Sequence, residues 1–126
     1  MQNQAWVYHT ITDAMLALTS NAIDNGIIVL QNCVNCDVSL VAKTIITMQK
    51  ASDIALITDG HCAATNVLTV ANITPNGFDN QDFANIQTGD ILEIDVTKGR
   101  LSTNISSKDM KVRAKRNITK KQEIYF

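Results

Sequence analysis

The residues with the clearest potential for chemistry lie in one short polar segment. An apolar run at residues 54–57 is followed by side chains that include a carboxylate, an imidazole and a thiol: Thr58, Asp59, Gly60, His61, Cys62 and Ala63. Enzymes often place reactive groups where a buried strand breaks into a glycine-hinged polar loop. Imidazole and thiolate are competent bases near neutral pH. We therefore treat this segment as the candidate active-site loop.

Sulfur ligands form a second candidate set. Cys33 and Cys36 have the C-x-x-C spacing, which allows two thiolates to reach one metal ion. The same spacing is found in thiol redox pairs, and a helix predicted from about Val38 would follow this one. A third interpretation is that the thiols are buried or incidental. The chain has three cysteines, an odd number, which argues against a disulfide scaffold.

Length and composition limit the classes of function. The 126 residues are 45% apolar and 18% charged, with a formal net charge of −1; this predicts a single globular domain, residues 1–126, with its own core. The near-neutral balance provides no field that would attract nucleic acid or an acidic membrane, so neither is an expected partner. No apolar run approaches the roughly 20 residues that span a bilayer, and no signal-peptide pattern opens the chain. We expect a cytoplasmic protein.

Hydrophobic patterning predicts the elements that position these segments. We expect strands at residues 5–9, 27–30, 53–58, 67–73, 91–96 and 101–105. We expect helices that begin at an N-cap on Thr12, that cover residues 38–49, and that cover residues 107–116 after a capping box of Ser106 and Asp109. The helix between the second and third strands predicts a parallel pair, and the turn at Gly99 predicts an antiparallel hairpin.

The last predicted helix and its tail are basic. The cluster consists of Lys108, Lys111, Arg113, Lys115, Arg116, Lys120 and Lys121. Such a cluster can contact phosphates. Cations near a helix C-terminus also favour the helix dipole, and an exposed basic face on a near-neutral domain is usually solvated. We interpret the cluster as a solvated face.

Several segments of the chain are similar to one enzyme family. Thr58-Asp59-Gly60 resembles the start of the Thr-Asp-Gly-Arg-x-Ser-Gly segment in the last domain of the iron-sulfur sugar-acid and dihydroxy-acid dehydratases, with His61 at the arginine position and Ala63 at the serine position. Other segments agree in order, namely the opening Ala5-Trp6-Val7-Tyr8, the step Ile73-Thr74-Pro75, the turn Gly89-Asp90 and the ending Gln122-Glu123-Ile124-Tyr125-Phe126. The ending is similar to that of the 6-phosphogluconate dehydratase branch, which we take as the closest branch.

The resemblance implies a mixed α/β fold, the swivelling β/β/α domain, with a mixed sheet or partly closed barrel and flanking helices. It implies a hydro-lyase of carbohydrate metabolism whose iron-sulfur cluster and divalent cation belong to a larger preceding domain that we expect to be absent from this chain. No cofactor is expected on this chain itself. The expected partner is a separate catalytic dehydratase domain or subunit, and the isolated chain is expected to be inactive.

The resemblance also affects both candidate sets. The family's serine is its proposed base, and Ala63 has no proton-accepting group, so either His61 or Cys62 would have to replace it. The resemblance places the loop of Cys33 and Cys36 near this segment, which implies a conceivable metal site of Cys33, Cys36, His61 and Cys62. Asp59 is either a family site residue or a turn-making carboxylate that accepts backbone N–H bonds.

Two other functions stay open from the sequence. The chain could be a non-catalytic module that uses its altered loops to bind a small ligand or a protein. It could also be a cysteine-based metal or redox protein. Exposed sheet edges leave a homo-oligomer open as well, although no residue pattern identifies the interface.

Overall fold

The fold is mixed α/β, as predicted, with three helices and six strands among the described residues. A computed structural model of the chain describes residues 1–63, 65–74 and 83–124. In chain order the elements are β1 (Gln2–Tyr8), α1 (Ile11–Thr19), β2 (Gly26–Leu30), α2 (Ser39–Thr47), β3 (Ile54–Thr58), β4 (Thr69–Val70), a 3-10 turn (Phe83–Asn85), β5 (Ile91–Asp95), β6 (Arg100–Thr103) and α3 (Ser107–Ile124).

The strands form one mixed sheet in the order β4-β3-β2-β1-β5-β6. Strands β1 to β4 are parallel to one another, whereas β5 is antiparallel to both β1 and β6. The sheet is curled into a half-barrel. This arrangement confirms the predicted mixed sheet, the parallel pair β2–β3 and the antiparallel hairpin β5–β6.

Strands β2 and β3 form the centre of the molecule, and every residue in them is buried. One face of these strands, with Ile28 and Leu56, packs against α1 and α2. The opposite face, with Ile27 and Ile57, packs against the β5–β6 hairpin, the 3-10 turn and Met110 of α3. Continuous aliphatic strands are expected where both faces of a parallel sheet are covered. The carboxyl ends of β2 and β3 are therefore held by a core on both sides.

Three local predictions were wrong. Helix α1 begins after Thr10, not Thr12, because the Thr10 side chain accepts the Asp13 amide at 3.1 Å. Strand β4 covers only Thr69–Val70 rather than residues 67–73. Strand β5 ends at Asp95 rather than at residue 96, and the chain turns there, so that Val96 is 70% exposed.

The last helix is longer than predicted, since α3 extends to Ile124 rather than to residue 116. Its N-terminus is capped as expected, because the Ser106 hydroxyl accepts the Asp109 amide at 3.2 Å. In the segment between β4 and β5, Phe83 is buried, and Phe78 lies outside the described residues.

Helix α3 is tied to the sheet by one of its basic residues, which corrects the interpretation of that helix as a wholly solvated face. The Arg113 guanidinium donates to both carboxylate oxygens of Asp90, at 2.6 and 3.0 Å, and to the Asn85 carbonyl at 3.1 Å. The Asp90 side chain is only 7% exposed. The hydrogen bond that Arg113 donates to Asp90 raises the pKa of Arg113, and burial opposes this effect. Planar two-point pairing of this kind is geometrically specific.

Candidate functional site

The site is built from two loops that leave the carboxyl ends of β2 and β3, at residues 31–38 and 59–63. The carboxylate of Asp59 joins them, because Oδ2 accepts the Asn32 amide at 3.0 Å and Oδ1 accepts the Cys33 amide at 2.9 Å. The expectation that Asp59 accepts backbone N–H bonds is met. Its donors, however, belong to the neighbouring loop and not to its own turn.

Gly60 and His61 add a second set of contacts between the loops. The His61 amide donates to the Cys36 carbonyl at 2.8 Å, and the Val38 amide donates to the His61 carbonyl at 2.7 Å. A Cβ atom at Gly60 would lie 2.5 Å from the Cys33 carbonyl oxygen and 2.8 Å from that of Cys36. Glycine is therefore required here by close approach of two backbones. The two loops form one preorganised unit.

Thr58 has a structural role. Its buried hydroxyl donates to the Leu30 carbonyl at 3.1 Å and accepts the Gly60 amide at 3.0 Å. The first bond joins the ends of β2 and β3, and the second fixes the start of the loop that follows β3.

Ser39 and Asp37 belong to the site, although the sequence analysis did not single them out. The Ser39 hydroxyl donates to the Asp37 carboxylate and accepts the Ala63 amide at 2.9 Å. These bonds from the Ser39 hydroxyl and amide lower the pKa of Asp37, with smaller contributions from His61 and Lys43. The Asp-x-Ser spacing before a helix is a known local signal and could have identified this turn.

His61 and Cys62 point to different surroundings. The exposed His61 side chain places Nδ1 3.3 Å from Oδ1 of Asn72, a residue that sequence reasoning missed. Asn72 is itself held at the loop, because its amide donates to the Gly60 carbonyl at 2.9 Å. Cys62 is half-buried and packs against the core that α1 and α2 cover. Of these two side chains, His61 is the more exposed to solvent.

Cys33 and Cys36 lie in one turn, where the Cys36 amide donates to the Cys33 carbonyl at 2.9 Å. Cys33 is 2% exposed, and burial, followed by the neighbouring Cys36 and Asp59, raises the pKa of its thiol to about 11. Among residues 1–63, 65–74 and 83–124, no three His, Cys, Asp or Glu side chains are grouped so that they could hold a metal ion. The metal site predicted at Cys33, Cys36, His61 and Cys62 stays a prediction.

An open pocket of about 380 Å³ lies between α2 and the segment that follows β3. It is lined by Ser39, Ala42, Lys43 and Ile46 of α2 and by Ala63, Thr65 and Asn66 of that segment. A volume of this order is sufficient for a small metabolite. Ala63, at the position of the family's serine, lines this pocket.

Comparison with known proteins gives one consistent result. The family model "Dihydroxy-acid/6-phosphogluconate dehydratase C-terminal" matches residues 1–125. The chain is 27% identical over 117 residues to a dihydroxy-acid dehydratase of Oceanobacillus iheyensis, which covers 86% of the chain and 21% of that protein. It is 36% identical over 76 residues to the Metallosphaera sedula dihydroxy-acid dehydratase, which covers 60% of the chain and 14% of that protein.

A third relative, the dihydroxy-acid dehydratase of Ruminiclostridium cellulolyticum, is 33% identical over 60 residues, 47% of the chain and 11% of that protein. The chain therefore matches between 11% and 21% of the length of these relatives. Within the described residues, no helix has the length and apolar character needed to cross a membrane.

Proposed function

We infer the function of this chain from the dihydroxy-acid/6-phosphogluconate dehydratase C-terminal family, to which it belongs over residues 1–125. We propose that it serves as the swivelling C-terminal domain of a hydro-lyase that dehydrates a 2,3-dihydroxy acid. It acts together with a cluster-binding domain, either in one longer polypeptide or as a separate subunit, in the cytoplasm.

The observation that carries this proposal is the joined pair of loops at the ends of β2 and β3. Asp59 and Gly60, both kept from the family's motif, fasten the loop of residues 31–38 to their own loop through side-chain and backbone contacts. Ligands of open α/β sheets bind beyond the carboxyl ends of the strands. A rigid pair of loops at this edge suits a surface that closes over a substrate held by another domain.

The share of the chemistry that this chain can supply is limited. Dehydration of a 2,3-dihydroxy acid removes the C2 proton and expels the C3 hydroxyl, which needs a base and a Lewis acid. An iron-sulfur cluster supplies the Lewis acid when bound. It does not fit the described residues of this chain, because no three potential ligand side chains are grouped there, whereas such clusters need about four.

The second requirement of the reaction is a base that removes the C2 proton. Ala63 cannot accept a proton, so the chain alone is expected to be inactive. His61 is the exposed loop side chain able to take this role in the assembled enzyme. Loss of a general base lowers rates by about 10²–10⁴. Ala63→Ser is therefore expected to raise the activity of the assembled enzyme, and His61→Ala to lower it.

The names of the relatives support the proposed class of substrate. The relatives described above are named dihydroxy-acid dehydratases, which favours a branched or linear dihydroxy acid as substrate. The family description also includes 6-phosphogluconate, and the final residues 122–126 are similar to that branch. We propose that both substrates be compared directly, with formation of a 2-oxo acid as the readout.

Native mass spectrometry of the protein from its own host tests the association. We expect these residues either within a polypeptide much larger than 13.8 kDa or in a stable complex with a subunit that carries an iron-sulfur cluster. A lone chain of 13.8 kDa, free of any partner at physiological ionic strength, would contradict the proposal.

A non-catalytic binding module is the second candidate, and the pocket beside Ala63 favours it. Lys43, Ser39 and Asn66 line a space large enough for a small carboxylated or phosphorylated molecule. Thermal stabilisation of the isolated chain by such a molecule, abolished by Lys43→Ala and kept by Lys50→Ala, would support this function. Absence of stabilisation across sugar acids and their phosphates would count against it.

A further inference from the structure

The turn from Cys33 to Cys36 brings two thiols together in a geometry suited to a bond between them. A turn closed by a hydrogen bond from residue i+3 to residue i, such as the 2.9 Å bond found here, holds the two Cα atoms within about 7 Å. Protein disulfides join Cα atoms that are roughly 4.4–6.8 Å apart. The Cys33 thiol donates to the Gln31 carbonyl at 3.5 Å.

Both ends of this turn are fixed by the neighbouring loop. Asp59 holds the Cys33 amide at 2.9 Å, and the His61 amide holds the Cys36 carbonyl at 2.8 Å. Gly60 packs directly beneath both carbonyl groups. Groups that are already oriented react as though they were highly concentrated, because little entropy is lost when they meet.

Exposure gives the two thiols different roles. Cys36 is half-buried and can be reached from solvent, whereas Cys33 is 2% exposed. An external reagent therefore reaches the Cys36 thiol first. The Cys33 thiol, in the same turn, is placed to attack the Cys36 sulfur of the adduct that forms. Cys62, the third thiol, lies outside this turn.

We propose that Cys33 and Cys36 form a thiol–disulfide redox site whose oxidant is a low-molecular-weight disulfide of the glutathione class. The Cys36 thiolate attacks one sulfur of the oxidant, forms a mixed disulfide and releases one thiol. Cys33 loses its proton to solvent and attacks the Cys36 sulfur, which forms the intramolecular bond and releases the second thiol. One disulfide is reduced for each one formed, so two electrons and two protons pass from the protein to the oxidant.

The Cys33 thiol is protected from direct attack by an external reagent, because its residue is only 2% exposed and its thiol donates to the Gln31 carbonyl. The site belongs to this chain alone and does not depend on the proposed dehydratase role.

The test is equilibration of the purified chain in buffers with graded ratios of reduced to oxidised glutathione, followed by acid quench, alkylation and peptide mapping. We expect one intramolecular disulfide between Cys33 and Cys36, with Cys62 alkylated throughout. Cys62→Ser should leave the midpoint unchanged, and Cys36→Ser should abolish the intramolecular bond.

A second readout separates this site from nonspecific oxidation. The oxidised wild-type chain should melt at a higher temperature than the reduced chain, and Cys36→Ser should show no such difference. Free Cys33 and Cys36 in the most oxidising buffer would overturn the proposal, and so would a disulfide that includes Cys62. Because the mapping is made on the unchanged chain, it decides the proposal even if a variant fails to fold.

Discussion

Asp59 offers the sharpest test of how the two loops are joined. Its carboxylate accepts two amides of the other loop, at 3.0 and 2.9 Å, and a hydrogen bond to a charged group contributes about 1.5–3 kcal/mol when protected from water. The Asn32 contact is exposed and the Cys33 contact is partly buried, so water replaces the first more easily than the second. We therefore expect Asp59→Ala to cost about 2–3 kcal/mol in the free energy of unfolding.

Asp59→Asn should cost less, because its single amide oxygen can keep the Cys33 bond and give up the exposed one. We expect a loss of about 1 kcal/mol. In a domain of this size, 1 kcal/mol lowers the melting temperature by roughly 4 °C. Calorimetry should therefore show shifts of about 4 °C for Asp59→Asn and about 8–12 °C for Asp59→Ala.

Asp53→Ala is the matched control, since Asp53 is an exposed aspartate that directly precedes β3. Its melting temperature should stay close to that of the wild type. Hydrogen exchange adds local detail, because the amides of Asn32 and Cys33 should lose protection in Asp59→Ala. An Asp59→Ala chain that melts with the control, and whose two amides remain protected, would refute this explanation of the loop unit.

Three further outcomes can be measured on the same preparation. Gly60→Ala should be strongly destabilised or distort both loops, because its Cβ would lie 2.5 Å from the Cys33 carbonyl oxygen. Gly99→Ala is the control: nothing lies within 4 Å of the new Cβ, so this substitution should cost only the strain of its φ of +62°, about 1 kcal/mol. Arg113→Ala should cost about 2–3 kcal/mol by urea denaturation, because it leaves Asp90 buried without its partner, while Arg116→Ala should be nearly neutral. The pKa of Cys33 is raised from 9.0 to about 11, so between these pH values the folded chain keeps a proton that the unfolded chain releases. The free energy of unfolding should therefore fall as the pH rises from 9 to 11, and it should fall less in Cys33→Ala. An equal pH dependence in both chains would contradict this.

The central part of the fold could be predicted from the sequence because its signals are local and strong. The unbroken aliphatic run at residues 27–30 predicts a strand covered on both faces, and β2 (Gly26–Leu30) lies between β1 and β3 with every residue buried. The helix that follows was also predicted, and α2 covers Ser39–Thr47. The helix is indicated by apolar positions at helical spacing, whereas the strand is indicated by the shortness and β-branched character of its run and by the turn residues before it.

The errors occur where local signals are ambiguous. Thr10 and Thr12 are equally good caps by residue type, and only the backbone decides that Thr10 accepts the Asp13 amide. Val96 continues the alternation of β5, yet the turn that begins at Asp95 removes it from the sheet. The hydrophobic pattern alone does not show at which residue a strand stops pairing with its neighbour.

The site could be predicted only in part. The segment from Asp59 to Ala63 was identified by its residue types, but its partners lie 26 and 27 residues away in the chain, at Cys33 and Asn32. The contacts of Ser39 with Ala63 and of Asn72 with His61 likewise depend on how neighbouring strands align. Such long-range contacts follow from sheet order, which a single sequence specifies only through the complete fold.

The most direct test of the proposed function is reconstitution of dehydration. The chain would be mixed with the Oceanobacillus iheyensis dihydroxy-acid dehydratase from which its own C-terminal domain has been removed, and 2-oxo acid formation would be followed with a 2,3-dihydroxy acid and with 6-phosphogluconate. We predict that this chain restores dehydration of one substrate, that Ala63→Ser raises the rate, and that His61→Ala lowers it by about 10²-fold or more. No restored dehydration with either the wild-type or the Ala63→Ser chain, although both bind the truncated enzyme, would contradict the proposed role in a dehydratase.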